Sequence, residues 1–361
     1  MQSLEKQSKM TLFRVCVLIF LSCTFIFLSI IYIFISSIAP PEIPVNPLIP
    51  VHSNVDINDP AFLLPEGHEA DLLIGGGMFA PEGFTSEDRK ELFYTFLIMG
   101  LDEGVNVDTI MVASYDGVNK KANIISIPRD SLVNVQRNVR KINAAYPAGT
   151  LRGGGRAGGI AQMQREVMTI IGFVPDFYIL IDLDAFVKII DAVGGVEIDV
   201  PFHMRYDDPF QGLHIDIAAG RQRLDGANAL NFARYRMGNR GFRAISDYQR
   251  IEHQQMVVRE VLNNLLQPAN ILRIPEFIAI FNENVHSNLT TGNMIWLASQ
   301  LTEISGTEAL STYTMPTSGS LRLAFWYEIL DAPAIVDLVN RTINPYIKDI
   351  ELSDLDIITS Y

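Results

Sequence analysis

A continuous apolar segment near the N-terminus constrains this chain more than any other feature. From Val15 to Ile35 it is interrupted only by Ser, Thr and Cys, and about 20 such residues cross the hydrocarbon core of a bilayer. Basic residues precede the segment, and none follows before Arg89. Because cytoplasmic flanks carry the positive charge, residues 1–14 are expected in the cytoplasm. We therefore predict a single-pass anchor at residues 15–37 that holds an extracytoplasmic domain at the cell membrane.

A cleaved signal peptide is the alternative interpretation of this segment. Its apolar region would be shorter, and the one small-residue cleavage motif, Ser37-Ile38-Ala39, is followed directly by two prolines. These features favour an uncleaved signal-anchor. The prolines open a spacer that is expected to be extended and semi-rigid, within a region of unassigned loops at residues 38–90.

Composition excludes several classes of protein. Both cysteines lie inside the apolar segment, so the exported part has no disulfide, no cysteine-ligated zinc and no cysteine nucleophile. The formal net charge of −13 argues against a nucleic-acid partner. The sequence also lacks His-Glu-x-x-His, Gly-x-Ser-x-Gly and phosphate-loop motifs.

Apolar strands alternate with amphipathic helices between residues 91 and 345, the region predicted to form the catalytic domain. Strands are expected near residues 92–101, 109–115, 122–127, 177–182, 196–200 and 311–315. Helices are expected near residues 159–171, 185–193, 247–266, 274–282, 292–304 and 332–343. This order predicts one α/β (α+β) domain with a central mixed β-sheet flanked by helices. Residues 346–361 are assigned as a C-terminal tail.

A basic stretch at residues 231–255 stands out in this acidic chain. Ser246 is a predicted N-cap, and spacings of three and four place Asp247, Arg250 and Gln254 on one helical face. The same face continues as Val258, Val261 and Leu265, so a stripe that should face the core begins with polar and charged residues. Such a break is costly without a partner and marks a candidate site. The alternative is a solvated helix start with surface arginines.

Two carboxylates, Asp102 and Asp108, flank a short turn between two predicted strands. A hairpin would place both at one end of the sheet, where they could share a hard cation such as Mg²⁺. Acidic residues near a turn are also common simply as turn formers.

A set of cations accompanies these carboxylates. Arg129 follows a buried strand that Pro128 ends, and a guanidinium suits bidentate binding of phosphate. A surface pair of Arg129 with Asp130 is the alternative. Four further cations share this chemistry: Lys141, Arg234, Arg236 and Arg250. Such cations, with a metal on two carboxylates, are what a pyrophosphate group requires.

Eight short motifs occur in one order between about Phe96 and Leu266. They are Met99-Gly-Leu-Asp102, Val107-Asp-Thr-Ile-Met111, Ser126-Ile-Pro-Arg-Asp130, Lys141-Ile-Asn-Ala-Ala-Tyr146, Asp191-Ala-Val-Gly-Gly-Val196, Leu224-Asp-Gly-Ala-Asn-Ala-Leu230, Ala233-Arg-Tyr-Arg236, and Asp247-x-x-Arg250 followed by Gln254-Gln255. In this order, behind a predicted anchor, the sequence resembles the LytR-CpsA-Psr family of envelope proteins.

The resemblance implies a Mg²⁺-dependent phosphotransferase that moves a glycopolymer from a polyprenyl-pyrophosphate carrier onto a cell-wall acceptor, typically peptidoglycan. By this likeness, Asp102 and Asp108 would hold Mg²⁺. Asp130 and Asp247 would orient arginines, and one of them would take the acceptor's proton beside Arg129. The pyrophosphate would be bound by Arg129, Lys141, Arg234, Arg236, Arg250 and Gln254. The lipid tail would occupy an apolar tunnel lined by residues such as Phe177, Ile179, Phe186, Ile189 and Ile190.

Two positions depart from the family's pattern, because Gly104 and His253 stand where arginine is usual. Both lower the positive charge expected at the site. Two other functions stay open on the sequence alone. One is a pyrophosphatase that hydrolyses the carrier, since water and a sugar hydroxyl would use the same site. The other is a non-catalytic carrier-binding module or a regulator of the envelope.

Overall fold

A computed structural model describes residues 40–43, 49–51, 79–81, 84–103, 106–210, 212–265, 267, 270, 273–301 and 310–358. The predicted anchor at 15–37, most of the spacer and Gly104 lie outside these ranges. None of the helices within them is long and apolar enough to cross a membrane.

The predicted strands and helices occur in the predicted order, with further elements between them. The strands are β1 (Ile49–Val51), β2 (Phe79–Pro81), β3 (Phe93–Leu101), β4 (Val107–Asp116), β5 (Lys121–Ser126), β6 (Phe177–Ile181), β7 (Val196–Val200), β8 (Met204–Asp208), β9 (Leu213–Ile217), β10 (Gly220–Leu224), β11 (His286–Ser287), β12 (Leu310–Thr314), β13 (Thr317–Arg322) and β14 (Trp326–Leu330). The helices are α1 (Ala145–Gly149), α2 (Gly155–Ile171), α3 (Leu183–Ala192), α4 (Gly226–Arg234), α5 (Asp247–Leu265), α6 (Ile274–Asn284), α7 (Thr291–Leu301) and α8 (Ala332–Thr342).

A six-stranded sheet in the order β11-β6-β3-β4-β5-β12 forms the centre of the fold. β3, β4 and β5 pair antiparallel, whereas β6 runs parallel to β3 and β12 runs parallel to β5. The central mixed sheet is therefore confirmed, and the strand predicted near residues 311–315 forms one of its edges as β12. Helices cover both faces, which explains why the central strands are almost continuously apolar in sequence.

Alternate residues of β3 enter two different cores. Leu97 and Met99 belong to the main core with residues of α2 and α8. Tyr94 and Phe96 point to the opposite face, where they join Trp296 of α7 in an aromatic cluster. Because side chains alternate along a strand, one short segment supports both layers.

The expectation of a single sheet was incomplete. β7 pairs with β10, and β8 pairs with β9, in two-stranded ribbons outside the central sheet. Their outer faces are polar, as in the exposed Arg205 and Arg221, so β8, β9 and β10 lack the long apolar runs by which the other strands were predicted. The hairpin of β13 and β14 was missed for the same reason. The inner faces of the ribbons pack with α4 in a second core.

Two features hold the periphery to the main core. Asp176, before β6, accepts hydrogen bonds through Oδ2 from Arg89 Nη2 (2.9 Å), Thr95 N (2.9 Å) and Thr95 Oγ1 (2.7 Å). Residues beyond the predicted domain end at 345 also contribute, because Tyr346 and Ile350 are buried in the main core. The segment that follows α8 is thus packed on the domain as far as the structure describes it.

Candidate active site

The turn between β3 and β4 places the two predicted metal ligands at the same end of the sheet. Asp102 stabilises the turn between β3 and β4. Its Oδ1 accepts a hydrogen bond from the backbone N of Asn106 (3.0 Å), and its Oδ2 accepts one from the side-chain amide of Asn106 (3.3 Å). Asp108 lies at the start of β4 and faces two arginines instead. The two carboxylates line one cavity, so the hairpin does bring them together.

Arg129 and Arg250 form a closed cluster with Asp108 and Asp247. Asp108 Oδ2 lies 2.5 Å from Arg129 Nη1 and 3.3 Å from Arg250 Nη1. Asp247 Oδ1 lies 2.9 Å from Arg250 Nη2 and 3.5 Å from Arg129 Nε. Each carboxylate thus contacts both guanidiniums, which fixes the two cations side by side.

Local hydrogen bonds explain how α5 positions Arg250 in the cluster. Ser246 Oγ accepts from Gln249 N, and the Gln249 side chain accepts from Ser246 N, both at 3.2 Å. This reciprocal capping box confirms the predicted helix start. Gln255 then fixes the helix to the sheet, since its amide donates to Ser126 Oγ (2.9 Å) and to the carbonyl of Tyr313 (2.8 Å). No feature of the sequence indicated this role of Gln255 beyond its place in a motif.

Lys141 and Asp130 form a second ion pair, in the segment that follows β5. Lys141 Nζ donates to Asp130 Oδ1 at 2.8 Å, so neither stands in the arginine cluster. The backbone carbonyl of Lys141 accepts from Arg137 Nη2 (2.6 Å), and Arg137 also pairs with the fully buried Glu166 of α2. Arg137 and Glu166, which the sequence analysis did not single out, therefore hold Lys141 in place.

The remaining predicted residues come from the end of α4 and from α5. Arg234 Nη2 pairs with Glu103 Oε1 at 2.8 Å, while the side chain of Arg236 is exposed. Beyond them, Arg243 lies over the ring of Phe202 at 5.0 Å, which gives this extra arginine a packing role.

One cavity of about 640 Å³ collects most of the predicted site. The predicted residues on its wall are Asp102, Asp108, Arg129, Arg234, Arg236, Arg250 and Gln254. Lys141, Asp130 and Asp247 do not line it. Among its described lining residues, four arginines face four carboxylates, since Glu103 and Asp182 join the two aspartates. The formal charges of the wall therefore cancel.

A second cavity, of about 360 Å³, lies on the sheet face covered by α5, α6 and α7. Its wall is almost wholly apolar, with residues such as Phe96, Leu262 and Phe281. Ile98 of β3 and Val258 of α5 line both cavities. We call the first cavity the polar cavity because it carries the charged residues, although the rest of its wall is mainly apolar, and it meets the apolar cavity at these two side chains.

The five predicted tunnel residues are divided among several places. Phe186 lines the polar cavity, and Ile179 lines the apolar one. Phe177 packs in the aromatic cluster and Ile190 in the second core, while Ile189 lines neither cavity. The wall of the apolar cavity could not be predicted from local sequence, because local sequence does not specify that α5, α6 and α7 cover this face of the sheet.

The environment shifts the protonation equilibria of two residues on α5. Burial lowers the pKa of Arg250, and the nearby Arg129 and Arg236 add to that effect against the opposing attraction of Asp247 and Asp108. Burial also lowers the pKa of His253 to about 4. His253 stacks on Phe232 with ring centroids 4.4 Å apart. His253, where the family resemblance led us to expect arginine, is thus a neutral ring stacked on Phe232 that does not line the cavity.

The donor set of the cavity fits Mg²⁺. The described residues hold no group of three or more His, Cys, Asp or Glu side chains arranged for a metal. Mg²⁺ does not need one, because it is commonly bound by one or two carboxylates with waters and substrate phosphates. Each carboxylate has about four lone-pair positions, so Asp102 and Asp108 retain acceptor capacity beside their present hydrogen bonds.

Comparison with known proteins agrees with this architecture. The sequence model of the LytR_cpsA_psr family matches residues 82–344, and the chain belongs to this family. A crystal structure of TagV from Bacillus subtilis superposes with a TM-score of 0.57 at 25% identity, covering 69% of this chain and 95% of that one.

Three curated relatives are similar in sequence. TagV of Bacillus subtilis, a polyisoprenyl-teichoic acid–peptidoglycan teichoic acid transferase, is 27% identical over 56% of this chain and 51% of its own length. The regulatory protein MsrR of Staphylococcus aureus is 25% identical over 63% of this chain and 65% of its own. TagU of Oceanobacillus iheyensis, named as the same kind of transferase as TagV, is 28% identical over 70% of this chain and 76% of its own. The match thus spans about half the length of TagV.

Proposed function

We propose that this protein is an extracytoplasmic, membrane-anchored phosphotransferase that moves a glycopolymer from a polyprenyl-pyrophosphate carrier onto a cell-wall acceptor, with peptidoglycan as the expected acceptor. Two relatives are named as teichoic acid transferases to peptidoglycan. The observation that carries the proposal is the junction at Ile98 and Val258, where a charged cavity meets an apolar one. A pyrophosphate joined to a long hydrocarbon requires this combination.

The polar cavity suits the head group. Arg250 has a buried Nε without a hydrogen-bond partner, and Arg129 Nε has only a long contact of 3.5 Å with Asp247 Oδ1. Buried donors that lack a good hydrogen bond favour an anionic ligand. Because the wall has no net formal charge, a pyrophosphate would bring uncompensated negative charge. A divalent cation on Asp102 and Asp108 would neutralise it and polarise the phosphoryl oxygens. The requirement for Mg²⁺ is therefore part of the proposal.

The apolar cavity suits the start of the lipid. It continues along the sheet between β3 and the helices α5, α6 and α7, so a chain entering from the arginines would bury its hydrocarbon against Phe96, Leu262 and Phe281. We assign this route, which includes Ile179 of the five predicted residues, as the tunnel. Burying hydrocarbon contributes about 25 cal/mol per Å², which would hold the carrier while the acceptor is exchanged.

The proposed reaction is a substitution at the phosphorus that bears the glycan. The acceptor hydroxyl oxygen forms a new P–O bond, the bond to the bridging oxygen breaks, and polyprenyl monophosphate leaves. The hydroxyl proton passes to a carboxylate of the site, for which Asp247 and Asp130 are the candidates. Arg129 and Arg250 would stabilise the charge that develops on the phosphoryl oxygens, while Arg234 and Arg236, which also line the cavity, would bind the outer phosphate oxygens.

The first test measures phosphate release from polyprenyl pyrophosphate by the full chain in detergent, with Mg²⁺ and with chelator. We expect release only with Mg²⁺, and a loss of about 100-fold or more in Asp108→Ala and Arg129→Ala, since removing one preorganised charge typically costs this much. Arg259→Ala is the matched control, because Arg259 lies on α5 but is exposed.

Adding a lipid-linked glycan and a peptidoglycan acceptor then distinguishes a transferase from a hydrolase and from a carrier-binding module. Glycan incorporated into the acceptor supports the transferase. Glycan phosphate formed at the same rate with and without acceptor would instead show a hydrolase. Tight carrier binding without turnover, unaffected by either substitution, would contradict both enzymes and leave a carrier-binding module.

A further inference from the structure

The hairpin of β13 and β14 presents one face that neither the fold nor the proposed chemistry uses. Trp326 lies opposite Arg322, and Glu328 lies opposite Ser320. Directly paired residues of antiparallel strands point to the same side of a sheet, so these four side chains share a face. Trp326 is 49% exposed, which is unusual for a residue of this size.

This hairpin is bonded directly to the candidate active site. Glu328 N donates to the carbonyl of Asp130 (3.0 Å), and Leu132 N donates to the carbonyl of Glu328 (2.9 Å). On the opposite face of β14, the ring of Tyr327 is buried and lies 6.0 Å from Lys141 Nζ. The exposed face of the hairpin therefore has a fixed position beside the loop that carries Arg129, Asp130 and Lys141.

Polar groups connect Trp326 to the arginine cluster. Tyr248, in the first turn of α5, places its hydroxyl 3.4 Å from Glu328 Oε2 and 2.6 Å from Thr317 Oγ1. The neighbouring residue Asp247 contacts both arginines. A half-exposed aromatic ring, a carboxylate and two hydroxyls thus lie in a row that ends at the cluster.

We propose that this row binds the glycan strand of the acceptor, a β-linked polymer of N-acetylhexosamines. The flat face of an indole packs against the apolar C–H face of a pyranose, while a carboxylate and hydroxyls bond to the sugar hydroxyls. The inference rests on the proposed transferase, because it supplies the acceptor to the phosphoryl group held by Arg129 and Arg250. Glu328 and Tyr248 are assigned to binding and orientation.

The chemistry of the face favours a glycan over a lipid surface. Burial raises the pKa of Glu328, against hydrogen bonds from Trp326 and Tyr248 that oppose the shift, and the nearby Asp130 and Asp247 add to the rise. A lipid surface would desolvate this carboxylate further and, if anionic, repel it. Leu323 and Phe325 at the hairpin tip are also exposed. The experiment must therefore distinguish glycan binding from lipid binding.

The chain offers a direct spectroscopic test, because it has only two tryptophans. Trp296 is 8% exposed, so Trp326 dominates quenching by acrylamide. The full chain in detergent is titrated with a soluble N-acetylglucosamine hexasaccharide. We expect protection of the fluorescence from quenching by about two-fold or more, as stacking covers the ring. Trp326→Phe should abolish this signal, since only the buried Trp296 remains.

Transfer kinetics provide the second measurement. Trp326→Ala and Glu328→Gln should each raise the KM for the acceptor by about ten-fold, the amount expected from one lost stacking or charged hydrogen-bond contact. Carrier hydrolysis without acceptor should be unchanged. Phe210→Ala is the control, because Phe210 is a fully exposed aromatic residue of the turn between β8 and β9.

The outcomes distinguish this inference from the proposed function. An unchanged acceptor KM without protection by the hexasaccharide overturns the glycan site, while Mg²⁺-dependent transfer by the same variants leaves the transferase intact. Equal protection by glycan-free phosphatidylcholine or phosphatidylglycerol vesicles overturns it in favour of a lipid contact. Hexasaccharide protection without any carrier turnover in the wild type overturns the transferase and, with it, the acceptor role of this site.

Discussion

Arg250 Nη1 lies 3.3 Å from Asp108 Oδ2, although 142 residues separate them in the chain. Asp108 in turn contacts Arg129, and Asp247 contacts both arginines. Three segments, at the start of β4, after β5 and at the start of α5, thereby form one charged unit. A unit held together in this way should respond to mutation as a whole.

The first prediction concerns this coupling. Arg129→Ala and Arg250→Ala are each expected to lower the rate of carrier turnover by about 100-fold or more. The double variant should lose little beyond the worse single variant, because residues that act as a unit are strongly non-additive. Single-turnover rates of the four proteins check it. Losses that multiply in the double variant would show that the two guanidiniums act independently.

The second prediction concerns the junction of the two cavities. Val258→Trp places a large ring where the polar and apolar cavities meet. We expect binding of a long polyprenyl pyrophosphate to weaken by about ten-fold, while a short isoprenyl pyrophosphate is unaffected, because only the long tail passes the junction. Val118→Trp, in the exposed turn after β4, is the matched control. An equal loss for both ligands would argue against the tunnel.

The third prediction concerns the buried ion pair of the fold. Asp176 is fully buried and Arg89 is its partner, so Asp176→Asn leaves a buried charge without compensation. The free energy of unfolding should fall by about 3 kcal/mol or more. Asp337→Asn, which removes an exposed pair with Arg341 on α8, should change it by less than about 1 kcal/mol. Urea denaturation of both variants tests the difference, and similar losses would contradict it.

The fourth prediction concerns His253 and pH. Its pKa of about 4 in the folded protein is lower than its ordinary value of 6.5, so the unfolded chain takes up the proton first as the pH falls. The stability contribution is present above pH 6.5 and is lost progressively toward pH 4. Between about pH 7 and pH 5 this amounts to about 2 kcal/mol.

His253→Gln should therefore flatten the pH dependence of stability by this amount. The measurement is the difference in unfolding free energy between wild type and variant at the two pH values, which cancels the contribution of other groups. A variant slope equal to that of the wild type would show that His253 titrates normally.

Local sequence determined the central elements of this protein. The apolar runs of β3, β4, β5 and β6 and the capped start of α5 were predicted close to their observed positions, because strand periodicity and helix capping depend on neighbouring residues. β7 of the outer ribbons was also predicted, but β8, β9, β10 and the hairpin of β13 and β14 were not, since a strand with one polar face carries a weaker hydrophobic signal.

The residue types of the candidate site were also specified by the sequence, as a set of cations and carboxylates in one order. Their arrangement was decided by tertiary structure. Lys141 pairs with Asp130 outside the cavity, and Asp108 faces two arginines while Asp102 closes a turn. Of the five residues predicted to line an apolar tunnel, Ile179 lines the apolar cavity and Phe186 the adjoining one, whereas the other three line neither. Spacing along a chain fixes which side chains share a face of one element, whereas distances between elements depend on how helices and strands pack across the whole domain.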